Sequence, residues 1–241
     1  GGIGDFRSIQ FFRMFLTGFE DSVVLRFAQL QLDRNNWRRY NFSLMNPGEN
    51  IPEDDLINTS YSLTTVSVEQ NSSKSPVPYV MPPGIERIEQ AVTSGQSFEQ
   101  DEQSVALQVC GLKDGDSRAI YKEFGNLDMR QFEKMKIFIH AENVPGDVPL
   151  NNGDVRAFAR FGSDFTNNYY EFQVPLENTP DNATDRNVVW PERNRMEIDL
   201  KKLVALKTER NDLGLSSFVP YSFTDEFGNI YTIVGDPNLA D

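Results

Sequence analysis

From Ser97 onward, apolar and polar residues alternate in short stretches. Val105, Leu107 and Val109 interleave with Ala106 and Gln108, and Met135, Ile137 and Ile139 with Lys136, Phe138 and His140. Val155, Ala157, Ala159 and Phe161 then interleave with Arg156, Phe158 and Arg160, and Tyr170, Phe172 and Val174 with Glu171 and Gln173. A period of two is that of a strand with one buried face. Turn-forming stretches such as Asp114-Gly115-Asp116 and Asn151-Asn152-Gly153-Asp154 separate these strands, and the spacing predicts an antiparallel sandwich or barrel. One segment changes period. Leu200, Leu203, Val204 and Leu206 give an apolar side running to about Arg210, and Asp199 can cap its start, so a surface helix is expected there.

The N-terminal part reads differently. Residues 6–42 hold 7 of the 18 phenylalanines. Ser8–Thr17 and Ser22–Leu32 form two apolar runs joined by Gly18-Phe19-Glu20-Asp21, which predicts a pair of strands. Both faces are apolar, since Ile9, Phe11 and Phe15 lie on one and Phe12, Met14 and Leu16 on the other, so the pair needs a sheet to enter. Between Pro47 and Pro83 fall 6 of the 13 prolines, and Asn71-Ser72-Ser73-Lys74-Ser75 is small and polar. That stretch predicts an extended connector with one short strand at Tyr61–Glu69. The layout is thus 1–45, paired apolar strands; 46–96, a Pro/Ser/Asn-rich connector; and 97–241, a sandwich.

Charge and composition narrow the function. The 241 residues carry 23 Lys plus Arg against 36 Asp plus Glu, a net of −13, with a pI near 4.6. Such a chain repels a phosphate backbone, which disfavours nucleic acid. Hydrophobic residues at 39% suffice for a core, though not along the whole length. Cys110 and His140 are the sole cysteine and histidine. An intrachain disulfide and a Cys/His zinc cluster are excluded, and only His140 is left for a nucleophilic site. No apolar run reaches the roughly 18 residues of a membrane helix, and no signal peptide is visible. The opening Gly1-Gly2-Ile3-Gly4, with no Met, reads as that of a fragment.

Candidate sites follow from residue type. His140 beside Glu142 allows general acid/base chemistry but reads more simply as a half-buried histidine satisfied by a neighbour. Cys110 reads as a buried structural thiol, since no nearby cation would lower its pKa. The Asp114–Asp116 and Asn151–Asp154 loops offer oxygen ligands without EF-hand spacing and fit tight-turn chemistry better than calcium. Arg156, Arg160, Glu171 and Gln173, with Tyr169 alongside, share the polar faces of two neighbouring strands. They form either a sugar-binding platform or partner face, or a solvated surface with cross-strand ion pairs. Asn-x-Ser/Thr sequons occur at Asn41, Asn58, Asn71 and Asn182; they matter only in a glycosylating secretory pathway.

Two resemblances add to this. The stretch Asn126–His140, with Asp128 capping a turn whose Phe132 and Met135 tuck beneath a strand, and the later Arg195-Met-Glu-Ile-Asp-Leu200 resemble galactose-binding-like jelly rolls. A closer and longer similarity is to the SprA (Sov) family. It is carried by Phe6–Gly18, Val24-Leu-Arg-Phe27, Trp37-Arg-Arg-Tyr40, Tyr79–Arg87 and Asp116–Lys122, and further by Arg160–Glu171, Val189-Trp-Pro-Glu192 and Val234-Gly-Asp-Pro-Asn238. The resemblance implies an outer-membrane translocon of the Bacteroidetes type IX secretion system, linked to gliding motility. It supplies no catalytic residues.

The expected fold is therefore an all-β, jelly-roll-like antiparallel sandwich with one short helix and a long Pro-rich connector. The chain lacks the succession of amphipathic strands that a barrel wall requires, so the resemblance implies a soluble domain between barrel segments, at the envelope and associated with the outer membrane. The expected role is non-catalytic, with no cofactor or metal. The implied partners are secretion machinery or exported cargo, and membrane is met only through the parent barrel. In this reading Ser8–Leu32 supplies closing strands to the later module or to a preceding one. The alternative is a carbohydrate-binding module of a cell-surface protein. A glycoside hydrolase would need a carboxylate pair in a cleft, which no motif marks.

Overall fold

The computed structural model describes residues 17, 18, 24, 37–42, 44, 59–87, 89–91, 97–99, 102–124 and 127–237. The chain divides into two units, Gly1–Asn35 and Asn36–Asp241, and every strand and helix below belongs to the second. The expected strands Ser8–Thr17 and Ser22–Leu32, apart from Thr17 and Val24, lie outside the described residues, and so does their role in closing a module.

In chain order the strands are β1 (Arg38–Tyr40), β2 (Ser60–Ser67), β3 (Glu89–Ala91), β4 (Ser97–Glu99), β5 (Gln103–Cys110), β6 (Ala119–Tyr121), β7 (Lys134–Ile137), β8 (Arg156–Gly162), β9 (Tyr169–Pro175), β10 (Met196–Asp199), β11 (Tyr221–Thr224) and β12 (Ile230–Val234). The helices are α1 (Val68–Asn71), α2 (Arg186–Val189) and α3 (Leu200–Asp212). All strand pairs are antiparallel, and the fold is the all-β antiparallel sandwich that the alternation predicts.

The largest sheet has the order β11-β12-β9-β8. One of its faces carries Ala157, Ala159 and Phe161, then Tyr170, Phe172 and Val174, then Tyr231 and Ile233, and packs into the main core. The opposing layer is the β7–β10 ladder, supplying Met135, Ile137, Met196 and Ile198, together with α3, supplying Leu200, Leu203 and Leu206. Asp199 ends β10 and caps α3 at once, its carboxylate accepting from Lys201 N, while Leu200 N donates to Glu133 O. The helix is thereby tied to the strand before it, and the spacing of its leucines turns them into the core.

Two hairpins of this sheet close on turns of one design. Between β8 and β9, Asp164 N donates to Asn168 O, and between β11 and β12, Asp225 N donates to Asn229 O. In each the Asn Nδ2 returns a bond to the aspartate Oδ2, at 2.9 and 3.0 Å. Aspartate is suited to this because its oxygens can accept several turn N–H groups that the strands leave unpaired.

A second ladder joins β2 to β5 over eight residue pairs, from Ser60↔Cys110 to Ser67↔Gln103. Ser67 caps α1 by accepting from Gln70 N. Residues that follow dock on the body: Val77 and Tyr79 bury with Val189 and Trp190 in a small core of their own. Trp190 Nε1 donates to Val80 O at 2.7 Å, and Asn182 N donates to Pro76 O. The remaining ladders are β1–β6 and β3–β4.

Four local expectations need correcting. Asp128 does cap a 3-10 turn over Met129–Gln131, but Phe132 is 53% exposed and Met129 packs against the core in its place. A 3-10 turn turns Met129 inward, and the extended backbone at Phe132 carries that ring out. The strand expected to run to His140 ends at Ile137, as β7, so His140 lies beyond it. Cys110 is half-buried rather than buried. Beside α3 stand two single-turn helices, α1 and α2, each too short for an apolar period to reveal.

Gly235 marks a close approach between chain segments. Its φ is 70°, and an added Cβ would lie 1.9 Å from Asn167 O. Gly235→Ala is expected to destabilise the domain by about 3 kcal/mol or more, combining left-handed strain with a backbone clash. Gly115→Ala has similar φ but open space around it, so it should cost only about 1 kcal/mol. Urea unfolding of the two variants checks the difference.

Candidate functional site

The five residues singled out on the polar strand faces do meet. The β8–β9 register sets Arg160 opposite Glu171, Phe158 opposite Gln173 and Gly162 opposite Tyr169. Arg160 Nε and Nη2 both reach Glu171 Oε2, at 2.8 and 2.7 Å, and its Nη1 donates to Phe165 O. The guanidinium carbon stands 3.9 Å from the centroid of the Tyr169 ring. Gln173 Nε2 donates to Glu171 Oε1 at 2.7 Å. Arg156 reaches Gln173 Oε1 at 3.3 Å and also donates to Gly228 O across the sheet.

Burial decides what this row can do. Tyr169 and Glu171 are 4% and 6% exposed, and the Arg160 side chain is 11% exposed. A solvated face is therefore not what the structure builds at these three residues. A sugar stacking on Tyr169 would meet the Arg160 guanidinium already on that ring, and both oxygens of Glu171 already accept hydrogen bonds. Arg156, at the open end of the row, is exposed. The arrangement fixes the hairpin, and its polar groups are spent on one another.

The loop that carries this row is held by one carboxylate. Asp164 Oδ1 accepts from the backbone N–H groups of Thr166, Asn167 and Asn168. Burial pushes the Asp164 carboxyl up, but the bonds from Asn167, from the Asn168 side chain and backbone, and from Thr166 outweigh it and hold the pKa below its usual value. Phe165, at the tip, packs edge-on against Tyr40 and Tyr121, with centroids 5.4 and 5.6 Å away. The β1–β6 ladder is thus joined to the hairpin by a half-exposed aromatic group.

His140 is committed on both ring nitrogens. Nδ1 lies 2.9 Å from Val189 O and 3.1 Å from Thr179 Oγ1, and Nε2 lies 3.2 Å from Glu142 Oε2. Glu142 also pairs with Lys74. Burial raises the Glu142 carboxyl, yet His140 and Lys74 bring it below the usual range. This is the satisfied histidine of the simpler reading, and it fastens the segment after α1 to the body. The Asp114–Asp116 loop makes a turn, with Asp116 bonded to Ser117 N and Arg118, and Asp154 Oδ2 accepts from Asn151 N. Among the described residues no group of three or more His, Cys, Asp or Glu is placed to hold a metal ion.

Two features escape sequence reasoning. Arg210, 1% exposed, sends Nη1 to Gly235 O and its other nitrogens to Asn211 Oδ1; nothing in a helical pattern marks one arginine as buried. Tyr79 donates to the Glu102 carboxylate and lies 2.7 Å from Ser104 Oγ. Burial and that carboxylate push its phenol pKa well above the ordinary value. The signal for this pairing, an aromatic residue inside a Pro-rich stretch, is present but does not name its partner.

A model of the SprA_N family, described as motility related/secretion protein, matches residues 1–241. No curated protein matches the chain.

Arg160→Met leaves Glu171 buried without its counter-charge and is expected to cost about 3–5 kcal/mol, while the pair Arg160→Met with Glu171→Met recovers most of that loss. Denaturant midpoints of the three variants check it. Asp164 and Glu142 both have folded pKa values below the unfolded ones. Their stabilisation is present above the unfolded value and is lost as pH falls below about 4.5 through the folded value. Unfolding midpoints measured from neutral pH to acid should fall over that window, and less steeply in Asp164→Asn.

Proposed function

We propose that this chain, which belongs to the SprA_N family of motility related/secretion proteins, is a non-catalytic domain of an outer-membrane protein-export translocon. The system is type IX secretion coupled to gliding, and the domain contacts secretion machinery or exported cargo. The observation that carries the reading is the family match along all of residues 1–241, which sets a β-sandwich in a motility related/secretion family. Among the described residues no helix is long and apolar enough to cross a membrane, and the reading accordingly leaves anchoring to other parts of the translocon.

The non-catalytic part of the reading draws on how polar groups are used. His140, the sole histidine, has its ring nitrogens within bonding distance of Val189 O, Thr179 and Glu142. The polar row Arg160–Glu171–Gln173 is closed on itself. A general acid or base needs a proton route to a substrate atom, and these groups point to one another instead. The same closure leaves little of Tyr169 or Glu171 for a saccharide.

In-frame deletion of this segment from the parent gene tests the reading. Cargo is expected to disappear from the culture supernatant, and spreading motility to stop, while the truncated parent still fractionates with the outer membrane. Normal export and motility from the deleted strain would overturn it. Glycan-dependent surface binding lost with unchanged export would favour the carbohydrate-binding alternative.

A further inference from the structure

Among the described residues the largest sheet has an open edge at β11. This strand ends the order β11-β12-β9-β8, and among the described residues it pairs with β12 alone. Tyr221 and Phe223 alternate onto the core-facing side of the sheet, where Phe223 neighbours Tyr231 at 6.2 Å between ring centroids. The opposing layer reaches this strand at Tyr221, which packs against the core, but leaves Phe223 uncovered. Phe172 and Tyr231 are buried, yet Phe223 is 52% exposed although it continues their row across the sheet. Next to it along the chain, Phe218 is 87%, Val219 60% and Phe227 59% exposed. Single exposed apolar residues need no explanation, but four large ones along an edge strand and its flanks do.

Charge indicates what fits there. From Asn211 to Asp241 the chain holds Asp212, Asp225, Glu226, Asp236 and Asp241 and not one Lys or Arg. The nearby cations are already engaged. Lys207 pairs with Asp236, Arg193 and Arg156 donate to Phe227 O and Gly228 O, and Lys202 stands over the Tyr231 ring. Exposed acids stand at both ends of β11, Glu209 of α3 against Tyr221 and Glu226 in the turn that follows Thr224. A second copy of a chain with net charge −13 would bring like charges together at this edge. Proline before the strand, at Pro220, and its length of four residues limit indiscriminate pairing.

We propose that the β11 edge receives an added strand from a partner polypeptide, an extended segment whose alternate apolar side chains cover Phe223 and whose flanking Lys or Arg face Glu209 and Glu226. The backbone of β11 gives the ladder, and the exposed phenylalanines give the pockets that read alternate residues. The proposal deepens the reading of a protein-contacting export domain and rests on it for the partner being a polypeptide.

The test uses the full chain and two fluorescent peptides, Lys-Val-Thr-Val-Thr-Val-Lys and its Glu-flanked counterpart, followed by fluorescence anisotropy. The Lys-flanked peptide is expected to bind at least about tenfold more tightly than the Glu-flanked one, and Phe223→Lys to weaken it by a similar factor. Circular dichroism of Phe223→Lys should be unchanged. If it is not, Glu226→Lys, at an exposed turn position, serves in its place. Equal binding of both peptides, no binding of either, or binding indifferent to both substitutions would overturn the proposal. So would a concentration-dependent dimer abolished by Phe223→Lys, which would assign the edge to a second copy. A chain that binds the peptide while its deletion leaves export intact removes the translocon reading and spares the edge; the reverse pattern removes the edge alone.

Discussion

The register between β8 and β9 is the constraint on which the rest of the structure depends. A slip of one residue would send Ala157, Ala159 and Phe161 to the polar side and Arg156 and Arg160 into the core, because side chains alternate with a period of two. Asp164 prevents the slip by collecting three consecutive backbone N–H groups in the turn. Arg160 and Glu171, directly opposite each other two steps away, would each be left buried and unpaired in any other register. The cost of that, several kcal/mol per uncompensated ion, exceeds what a single misplaced apolar residue would lose. The polar row is thus less a site than a register lock.

From that lock the order propagates outward. With β9 fixed, Tyr170 and Phe172 face the core, and β12 joins through Tyr231↔Phe172 and Ile233↔Tyr170. The chain leaving β12 is gripped at Gly235 by Arg210 from α3 and at Asp236 by Asn168 from the β8–β9 turn. Those contacts join the C-terminal segment, the helix and the hairpin at one corner. Gly235 has to be glycine there, since both its φ and its distance from Asn167 O exclude a side chain.

The parts legible in the sequence are those in which one residue type repeats at a fixed spacing. The strands β8 and β9 and the helix α3 announce themselves by period, and Asp199 and Asp128 cap as their position suggests. The pairing of Arg160 with Glu171 was visible as a possibility, but whether it lay in solvent or under cover was not, because alternation reports two faces and not which is buried. The strand β2, Ser60–Ser67, is legible as well, as the short strand expected at Tyr61–Glu69, although the last two residues of that stretch fold into α1 instead. The docking of Tyr79 and Val80 on Trp190 joins residues 110 positions apart, and no local pattern encodes a contact of that range. Phe132 misled for a local reason: the turn capped by Asp128 is legible, but not that it turns Met129 inward while the extended backbone at Phe132 carries that ring out. The two turns closed by Asp164 and Asp225 share one design, a likeness that their different intervening residues conceal.

Charge, at first only a reason to set nucleic acid aside, takes on a second meaning in the fold. The arginines deepest in the body are bound to carboxylates and carbonyls of the same chain, as Arg160 is to Glu171 and Phe165 and Arg210 to Gly235. Part of the positive charge is therefore consumed internally, and what remains outside is weighted toward acid. The last thirty or so residues show the extreme, with acids and apolar side chains exposed together and no cation among them. A surface of that kind stays dispersed among its own copies through repulsion while presenting apolar area to a basic partner. Under the proposed reading, one distribution of charge both disfavours self-association and favours a basic partner.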